Sequence, residues 1–342
     1  MDTNPAGAGG GFSSWVRNNP ARFRLILALT VFSCSFAFFA SNLASREVDG
    51  LEAQDIYHFN NIFLKGLPAD QSPVYYAFGW FWEKLNNTSV AFLRAPSAFF
   101  AAVAAAFVFL ATAEEASVLA ALLAALILTL NPLVAYHARI TRAYGMELML
   151  AAICLLYAVR YLKAGKTTDL IGLAAIGIVG IYTHLFFSLY VASLCALVIL
   201  YIAKHREKIP AALAVGVLGA LSMIPQVFHV KGALGQAQGI RATMWSIPHE
   251  FTLFFKTFGR QFIVGLSKPG DYANMITIAM TLLLLAGALI HRRRGILAVL
   301  VILVPSLVAG WRLSYEHVIV TRYLIYLWPV VAGLMGIGLA RL

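Results

Sequence analysis

The chain has 342 residues, of which 61% are hydrophobic and 12% are charged, whereas charged residues make up about 25% of a typical soluble domain. A soluble domain could not bury so much apolar surface, so we expect an integral membrane protein. The formal net charge is +11. However, the basic residues come in short groups between apolar runs, without the aromatic-laced basic stripe of a nucleic-acid-binding protein, so nucleic acid is excluded as a partner.

The N-terminal residues 1–22 are Gly-rich and polar, and we expect them to form a disordered cytoplasmic segment that contains Arg17 and Arg22. The apolar run at residues 23–44 has about 22 residues, which is the length that spans a bilayer as a helix. A signal peptide has the same order of parts, but its apolar region is only about 7–15 residues long. We therefore interpret this run as a retained helix, while the small residues at 40–44 leave cleavage as an alternative.

A cluster of acidic residues follows the first apolar run directly: Glu47, Asp49, Glu52 and Asp55. Ionised carboxylates prefer full hydration, so a cluster at the mouth of a very apolar protein indicates a function. The alternative is that these acids only solvate a loop. We expect Asp55 to be a solvated or helix-capping acid.

Two short helices are predicted within residues 45–89. Ile56, Phe59, Ile62 and Phe63 recur at helical spacing, and the segment 74–85 is rich in aromatic residues. Because Trp and Tyr rings favour the headgroup level, we expect both helices to lie in the membrane interface. The Gly and Pro residues between them predict a turn.

Further apolar runs of spanning or nearly spanning length follow at residues 90–112, 118–136, 143–162, 169–183, 185–203, 210–228, 273–291, 295–311 and 322–340. With the first run, they predict an all-α polytopic membrane protein with about ten transmembrane helices. His184 then lies at a corner between two spans. The expected organisation is a single transmembrane domain over 23–342, without a separate soluble C-terminal domain.

The basic loops predict the orientation of the chain. With the N-terminus inside, the Lys- and Arg-containing loops 160–169, 204–209 and 291–295 all face the cytoplasm, as the positive-inside rule requires. The segments 45–89 and 229–272 are then outer loops. Within the second of these, residues 251–266 are apolar but interrupted by basic residues, so we interpret them as interfacial or re-entrant.

Many arginines fall on the outer face, where the positive-inside rule should deplete them. They are Arg46, Arg94, Arg139, Arg142, Arg241, Arg260, Arg312 and Arg322. Phosphate binding is one explanation, since the guanidinium fork pairs with phosphate oxygens bidentately. The alternative is pairing with outer acids or with lipid headgroups.

Four segments together carry a family resemblance. They are the acidic segment 49–52, the segments 70–76 (Asp-Gln-Ser-Pro-Val-Tyr-Tyr) and 92–97 (Phe-Leu-Arg-Ala-Pro-Ser), the corner 136–144, and the Arg-Tyr segment 322–329. Over about residues 23–340 they resemble the GT-C superfamily of membrane glycosyltransferases. The most similar branch is the protein-mannosyltransferase and aminoarabinose-transferase type. The resemblance implies a GT-C fold with interfacial helices in the first outer loop, and a polyprenyl-phosphate-linked sugar as donor.

The implied reaction moves the sugar, with inversion, to a hydroxyl of a glycan, lipid or protein acceptor. It implies an enzyme of the bacterial cytoplasmic membrane whose active site lies on the outer, periplasmic face among membrane lipid. A carboxylate must accept the proton of the attacking hydroxyl. We expect Asp49 to be this base, with Glu52 as the alternative.

The donor phosphate needs fixed positive charge as its bond to the sugar breaks. Arg322 is the first candidate, followed by Arg139 and Arg142. Tyr144 and Tyr323 are further candidates for the donor phosphate, as hydrogen-bond donors, although tyrosines more commonly anchor helices at the interface.

A divalent metal ion is a candidate cofactor. Asp70 and His184, with Glu52, are ligand types that such an ion accepts, but a lone His at a helix corner is more commonly only hydrogen-bonded. Glu147 lies one turn inside a predicted span, where an acid is a functional candidate by default. Its alternative role is pairing with Arg142 or Arg139.

Three other functions remain open. A transporter or flippase of an anionic lipid or lipid-linked sugar would also use outer arginines, but the chain shows no related halves and no paired broken helices. A membrane scaffold would not need acids and arginines on one face. A polymer ligase would place basic residues and His in one large outer loop, and 229–272 contains His229, Arg241, His249 and Arg260.

Overall fold

The computed structural model describes residues 12–48, 50–65, 73–86, 88–226, 259–264, 271–314 and 321–342, and these contain helices and no strand. The α-helices are α1 (Phe12–Asn18), α2 (Pro20–Ala40), α3 (Gly50–Lys65), α4 (Pro73–Leu85), α5 (Val90–Glu115), α6 (Val118–Leu130), α7 (Pro132–His137), α8 (Tyr144–Ala164), α9 (Thr167–Thr183), α10 (Phe187–Ile202), α11 (Ile209–Ser222), α12 (Asp271–Ile290), α13 (Arg292–Ala298), α14 (Val304–Ser314) and α15 (Trp328–Leu339). Short 3-10 turns lie at Arg206–Lys208 and Thr321–Leu327, and π-turns at Arg260–Val264 and Val299–Leu303.

The all-α membrane architecture predicted from the sequence is confirmed. Five helical stretches in the described part are long and apolar enough to cross a membrane: Pro20–Ala40, Val90–Glu115, Tyr144–Ala164, Arg206–Gln226 and Arg322–Leu339. Further apolar helices there have 10–17 residues. The two short helices expected in the first outer loop are α3 and α4. The number of membrane crossings stays a prediction.

The structure differs from the prediction of disorder over 1–22 at residues 12–22, whereas residues 1–11 lie outside the described residues. Residues 12–18 form α1, and α2 already begins at Pro20, three residues before the predicted span. Pro20 occupies the first helical position, where its missing N–H costs nothing. The Asn19 side chain also donates to the Trp15 carbonyl. Local backbone geometry thus extends helix into residues that hydropathy alone marked as polar.

The predicted span 118–136 is divided at Asn131. Helix α6 ends at Leu130, and the Asn131 side chain accepts from the Val134 N–H at 3.0 Å, which starts α7. Pro132 follows Asn131, and a residue before proline is driven out of the helical conformation. Asn131 also donates to the Ile263 carbonyl, which fastens the π-turn to this corner.

Pro96 lies inside α5 and is buried. Because proline has no N–H, the carbonyl four residues earlier, that of Phe92, loses its helical partner. The Trp82 indole donates to this carbonyl at 2.8 Å, and its ring stacks on the Phe92 ring with centroids 4.5 Å apart. The Leu-Arg-x-Pro-Ser segment therefore binds α4 to α5.

The core of the bundle is formed by α5, α8 and α15, whose facing residues are largely small or aliphatic. A Cβ at Gly336 would overlap the Ala120 carbonyl of α6, and one at Gly287 of α12 would overlap the Leu334 carbonyl. Helices that associate in lipid gain stability from such close backbone approach. Glycine is required at both positions because nothing larger fits.

The bundle has two chemically different ends. The basic end comprises residues 113–117, 163–167, 203–209 and 291–294, which join consecutive helices. The site end comprises the first outer loop, the 131–144 corner, the 183–187 corner and the start of the Thr321–Leu327 turn. That the basic end faces the cytoplasm stays a prediction of the positive-inside rule.

Candidate active site

The first outer loop presents a buried acidic face to the bundle. Glu52, Asp55 and Phe59 follow each other at helical spacing on α3, and they are 0%, 3% and 2% exposed. The expectation that Asp55 is solvated or caps a helix is therefore wrong. Its place between Glu52 and Phe59 on one helical face was the sequence signal that could have shown this.

Glu52 forms a fully buried ion pair with Arg94 of α5. Arg94 Nε donates to Glu52 Oε1 at 2.8 Å, and Arg94 Nη2 donates to Oε2 at 2.7 Å. The Thr141 N–H also donates to Oε1, at 2.7 Å. Arg94 further donates to the carbonyls of Leu43 and Arg46. This pair holds together the first loop, α5 and the 139–142 corner.

Asp55 holds a second arginine from the same corner. Arg142 Nε lies 3.1 Å from Asp55 Oδ2, and the Tyr76 hydroxyl donates to Oδ1 at 2.7 Å. Burial, together with the Asp55 charge, raises the pKa of the Tyr76 hydroxyl far above its ordinary value, so Tyr76 stays a neutral donor. Tyr76 belongs to the predicted Pro-Val-Tyr-Tyr segment, and its contact explains why that segment lies beside the acidic loop.

Arg142 and Arg322 lie close together, although they are far apart in sequence. The Arg142 guanidinium is 5.7 Å from the Tyr144 ring, and the Arg322 guanidinium is 5.5 Å from the Tyr323 ring. The two tyrosine rings are themselves 6.4 Å apart. The 3-10 turn that starts the last span places Arg322 and Tyr323 opposite the start of α8. Four of the residues predicted for the donor phosphate thus form one cluster.

The electrostatics of this cluster are positive. Arg322 is half-buried, its Nε has no hydrogen-bond partner, and no ion pair links it to another described residue. His137 is buried beside it, and burial, with the charges of Arg322, Arg142 and Arg46, lowers the pKa of His137 to about 3. The neutral imidazole adds no charge and Asp55 offsets Arg142. Among the described residues, the cluster of the two arginines and Asp55 therefore keeps one net positive charge.

A buried acid and a histidine meet on the other side of Tyr144. Glu147 in the first turn of α8 is fully buried, and its Oε1 lies 3.3 Å from His184 Nδ1. The His184 ring is the ion-pair partner of Glu147, and both buried carboxylate oxygens lack a hydrogen-bond partner. His184 lies at the predicted corner, between α9 and α10. The sequence suggested Arg142 or Arg139 as the partner of Glu147, but the structure places His184 there.

Arg139 and Arg46 have other contacts. Arg139 Nη2 donates to the Phe38 carbonyl at 2.8 Å and so binds the last turn of α2, where a cation complements the helix dipole. The Arg46 guanidinium lies 4.4 Å from the Tyr136 ring centroid. Arg139 is thus separated from the Arg142–Arg322 cluster by its contact with α2, which the 136–144 motif alone did not indicate.

Several predicted site residues lie outside the described residues. Asp49 and Asp70 are among them, as are Arg241 and the histidines of 229–258. Of the predicted metal ligands, Glu52 is held by Arg94 and His184 faces Glu147. No group of three or more His, Cys, Asp or Glu side chains that could hold a metal occurs in the described ranges. A divalent metal ion stays a prediction, because Asp70 lies outside the described residues.

Two solved structures share this architecture. Both are ArnT from Cupriavidus metallidurans, one in the apo state and one bound to undecaprenyl phosphate. They match with TM-scores of 0.62 and 0.61 at 15% sequence identity, over 96% and 97% of this chain.

This chain shares its fold with ArnT. It spans only 60% and 61% of the two ArnT chains. The resemblance inferred from the four sequence segments is confirmed for the fold. No family model and no curated protein matches the chain.

Proposed function

We propose that this protein transfers a sugar from a polyprenyl-phosphate donor to an acceptor hydroxyl at the site end of the bundle, on the outer face of the membrane. The observation that carries the proposal is the cluster of Arg142 and Arg322, with Tyr144 and Tyr323, in a fold shared with a protein that has been solved bound to undecaprenyl phosphate.

The charge change in the reaction fits two arginines. A sugar phosphodiester carries one negative charge, and the released phosphate monoester carries nearly two at neutral pH. The leaving group therefore gains charge while it stays in the site. Positive groups that are already in place stabilise this transition state without reorganisation. Asp55 supports the arrangement, because its ion pair orients Arg142.

In the proposed step, the acceptor oxygen attacks the anomeric carbon and the carbon–oxygen bond to phosphate breaks. The electron pair of that bond stays on the phosphate oxygen, and the proton of the acceptor passes to Asp49. A single displacement of this kind inverts the anomeric centre. Tyr144 and Tyr323 would donate hydrogen bonds to the phosphate oxygens.

The contacts of Glu52 favour Asp49 as the base. The Glu52 carboxylate already accepts two hydrogen bonds from Arg94 and one from the Thr141 N–H. It has little remaining capacity for an acceptor proton, and protonation would leave Arg94 buried without its counter-charge. Asp49 directly precedes α3 in the sequence, on the same loop.

Purified protein incubated with radiolabelled polyprenyl-phosphate sugars and hydroxyl acceptors tests the proposal. Asp49→Asn should abolish transfer and keep donor binding, because it removes a proton acceptor at nearly constant shape. Glu47→Gln is the matched control, since it removes the same charge from an exposed side chain two positions earlier, and it should keep near-native turnover.

Two results would contradict the proposal. Native turnover of Asp49→Asn would show that Asp49 is not the base. Movement of the intact donor across vesicles without release of its sugar would instead indicate a flippase. If Glu52→Gln alone loses turnover while its free energy of unfolding is unchanged, Glu52 and not Asp49 is the base.

A further inference from the structure

A cavity lies at the basic end of the bundle, and none of the candidate active-site residues lines it. Its volume is about 420 Å³, and residues of α5, α8, α10, α13 and α15 line it. Its deep wall consists of aliphatic side chains such as Leu155, Leu194, Ile302 and Val330. None of the arginines of the proposed reaction lines it.

The rim of this cavity is basic. Lys204, His291, Arg293 and Arg294 line it, together with Glu115. Glu115 is already paired with Arg294 at 2.7 Å and with His291 at 3.1 Å. Lys204 and Arg293 are exposed and form no ion pair with any residue in the described ranges. Two cations therefore remain available at the mouth of an apolar cavity.

The depth of the cavity corresponds to one leaflet. Leu194 of α10 and Lys204, two residues beyond the end of α10, both line it, and ten residues at helical rise span about 15 Å. One leaflet is half of a hydrocarbon core that is about 30 Å thick. Leu200 also lines the cavity and is 48% exposed on α10, so the cavity is open towards lipid on this side.

We propose that this cavity binds an anionic phospholipid of the cytoplasmic leaflet. One acyl chain occupies the aliphatic part, and Lys204 and Arg293 bind the headgroup phosphate. Charge complementarity selects this occupant, because the cytoplasmic leaflet is rich in anionic lipid and basic pockets between transmembrane helices bind such headgroups. A sterol or a neutral lipid would leave the two cations without a partner.

The test measures lipid binding by native mass spectrometry of the full chain in detergent. Phosphatidylglycerol is the probe, and phosphatidylcholine with the same acyl chains is the reference. We expect phosphatidylglycerol to bind preferentially. Lys204→Gln with Arg293→Gln should weaken its binding about tenfold or more, the expected scale for loss of charge-assisted hydrogen bonds.

Arg206→Gln with Arg292→Gln is the matched control. It removes the same charge from the same two loops, at exposed positions that do not line the cavity, and should leave binding unchanged. Equal loss in both double variants would overturn the proposal, because it would show a diffuse surface attraction.

A second pair of variants tests occupation of the aliphatic part. Leu297→Trp fills the cavity, whereas Ile296→Trp adds the same ring at a neighbouring position that does not line it. Only Leu297→Trp should reduce phosphatidylglycerol binding. Equal binding of the two phospholipids by the native chain, or displacement of phosphatidylglycerol by equimolar undecaprenyl phosphate, would also overturn the assignment. Because every readout is binding, the result does not depend on transferase activity.

Discussion

The two ends of the bundle both pair acids with bases, but they do so in opposite environments. At the site end, the Glu52 and Arg94 side chains are 1% and 0% exposed and pair at 2.7 Å. At the basic end, Glu114 is 30% exposed and lies 3.7 Å from Arg160 and 3.8 Å from Arg24. The same residue types thus form a rigid joint at one end and a solvated network at the other.

The difference shows that the burial of an ion pair, and not the number of ion pairs, indicates where the loss of one charge would destabilise the fold. An exposed pair is screened by water and contributes about 0–1 kcal/mol. A buried pair is costly to form, but removal of one partner leaves the other charge stranded. We therefore expect the site end to be sensitive to single substitutions and the basic end to be tolerant.

The largest expected effect concerns which end faces outward. In a chain whose native cysteines Cys34, Cys154 and Cys195 are replaced, Asn86→Cys at the site end should react with an impermeant thiol reagent added to intact cells. Lys166→Cys at the basic end should not react until the cells are opened, because the positive-inside rule places it in the cytoplasm. Labelling of Lys166→Cys in intact cells would show that the basic end, and not the site end, faces outward.

The next effect concerns the buried joint. Arg94→Ala should lower the free energy of unfolding by about 3–5 kcal/mol, because it leaves the Glu52 carboxylate buried and unpaired. Chemical or thermal unfolding in detergent measures this, and Arg160→Ala at the basic end is the matched control. The double variant Glu52→Leu with Arg94→Met should lower the free energy of unfolding less than Arg94→Ala alone, since neither charge of the pair then remains buried. Equal stability of Arg94→Ala and Arg160→Ala would contradict the assignment.

The third prediction concerns the affinity for the donor, which should fall when Arg322 is replaced. Arg322→Ala should weaken the binding of a non-hydrolysable polyprenyl-phosphate donor analogue by about 1.5–3 kcal/mol, the range for hydrogen bonds to charged groups. Arg322→Lys keeps the charge but loses the fork, so its loss should be smaller but measurable. Arg139→Ala is the comparison, since Arg139 binds the end of α2 and should affect stability more than donor affinity. Unchanged donor affinity in folded Arg322→Ala would remove Arg322 from the site.

The smallest effect is expected at Glu114. Glu114→Gln removes the charge that faces Arg24, Arg160 and Lys163, yet it should change the unfolding free energy by less than about 1 kcal/mol. The change should shrink further at high salt, because exposed pairs are screened. A loss comparable to that of Arg94→Ala would show that the basic end is as rigid as the site end.

The sequence predicted the helical bundle well because hydropathy, length and loop charge are local properties. It also marked the segments that build the site end. It did not predict how those segments pair. Asp55 was expected to be solvated, whereas it holds Arg142 and Tyr76. The division at Asn131 was a local signal that the hydropathy run obscured.

Two pairings depended on packing between distant segments. Pairing with Arg142 or Arg139 was the alternative role considered for Glu147, but the α9–α10 corner brings His184 to it. Arg139 and Arg142 are indistinguishable within one short motif, yet one binds the end of α2 and the other faces Arg322 across the tyrosines.

By itself, then, the sequence determined a membrane bundle with an acidic first loop, arginine-containing corners on the same side as that loop, and basic loops at the opposite end, since each follows from residue type and spacing along the chain. Only the tertiary structure decided which acid meets which arginine. Helices α3, α5 and α8 are separated by tens of residues, and whether a carboxylate becomes part of a buried joint or remains available for chemistry depends on the partner that packing brings within about 3 Å.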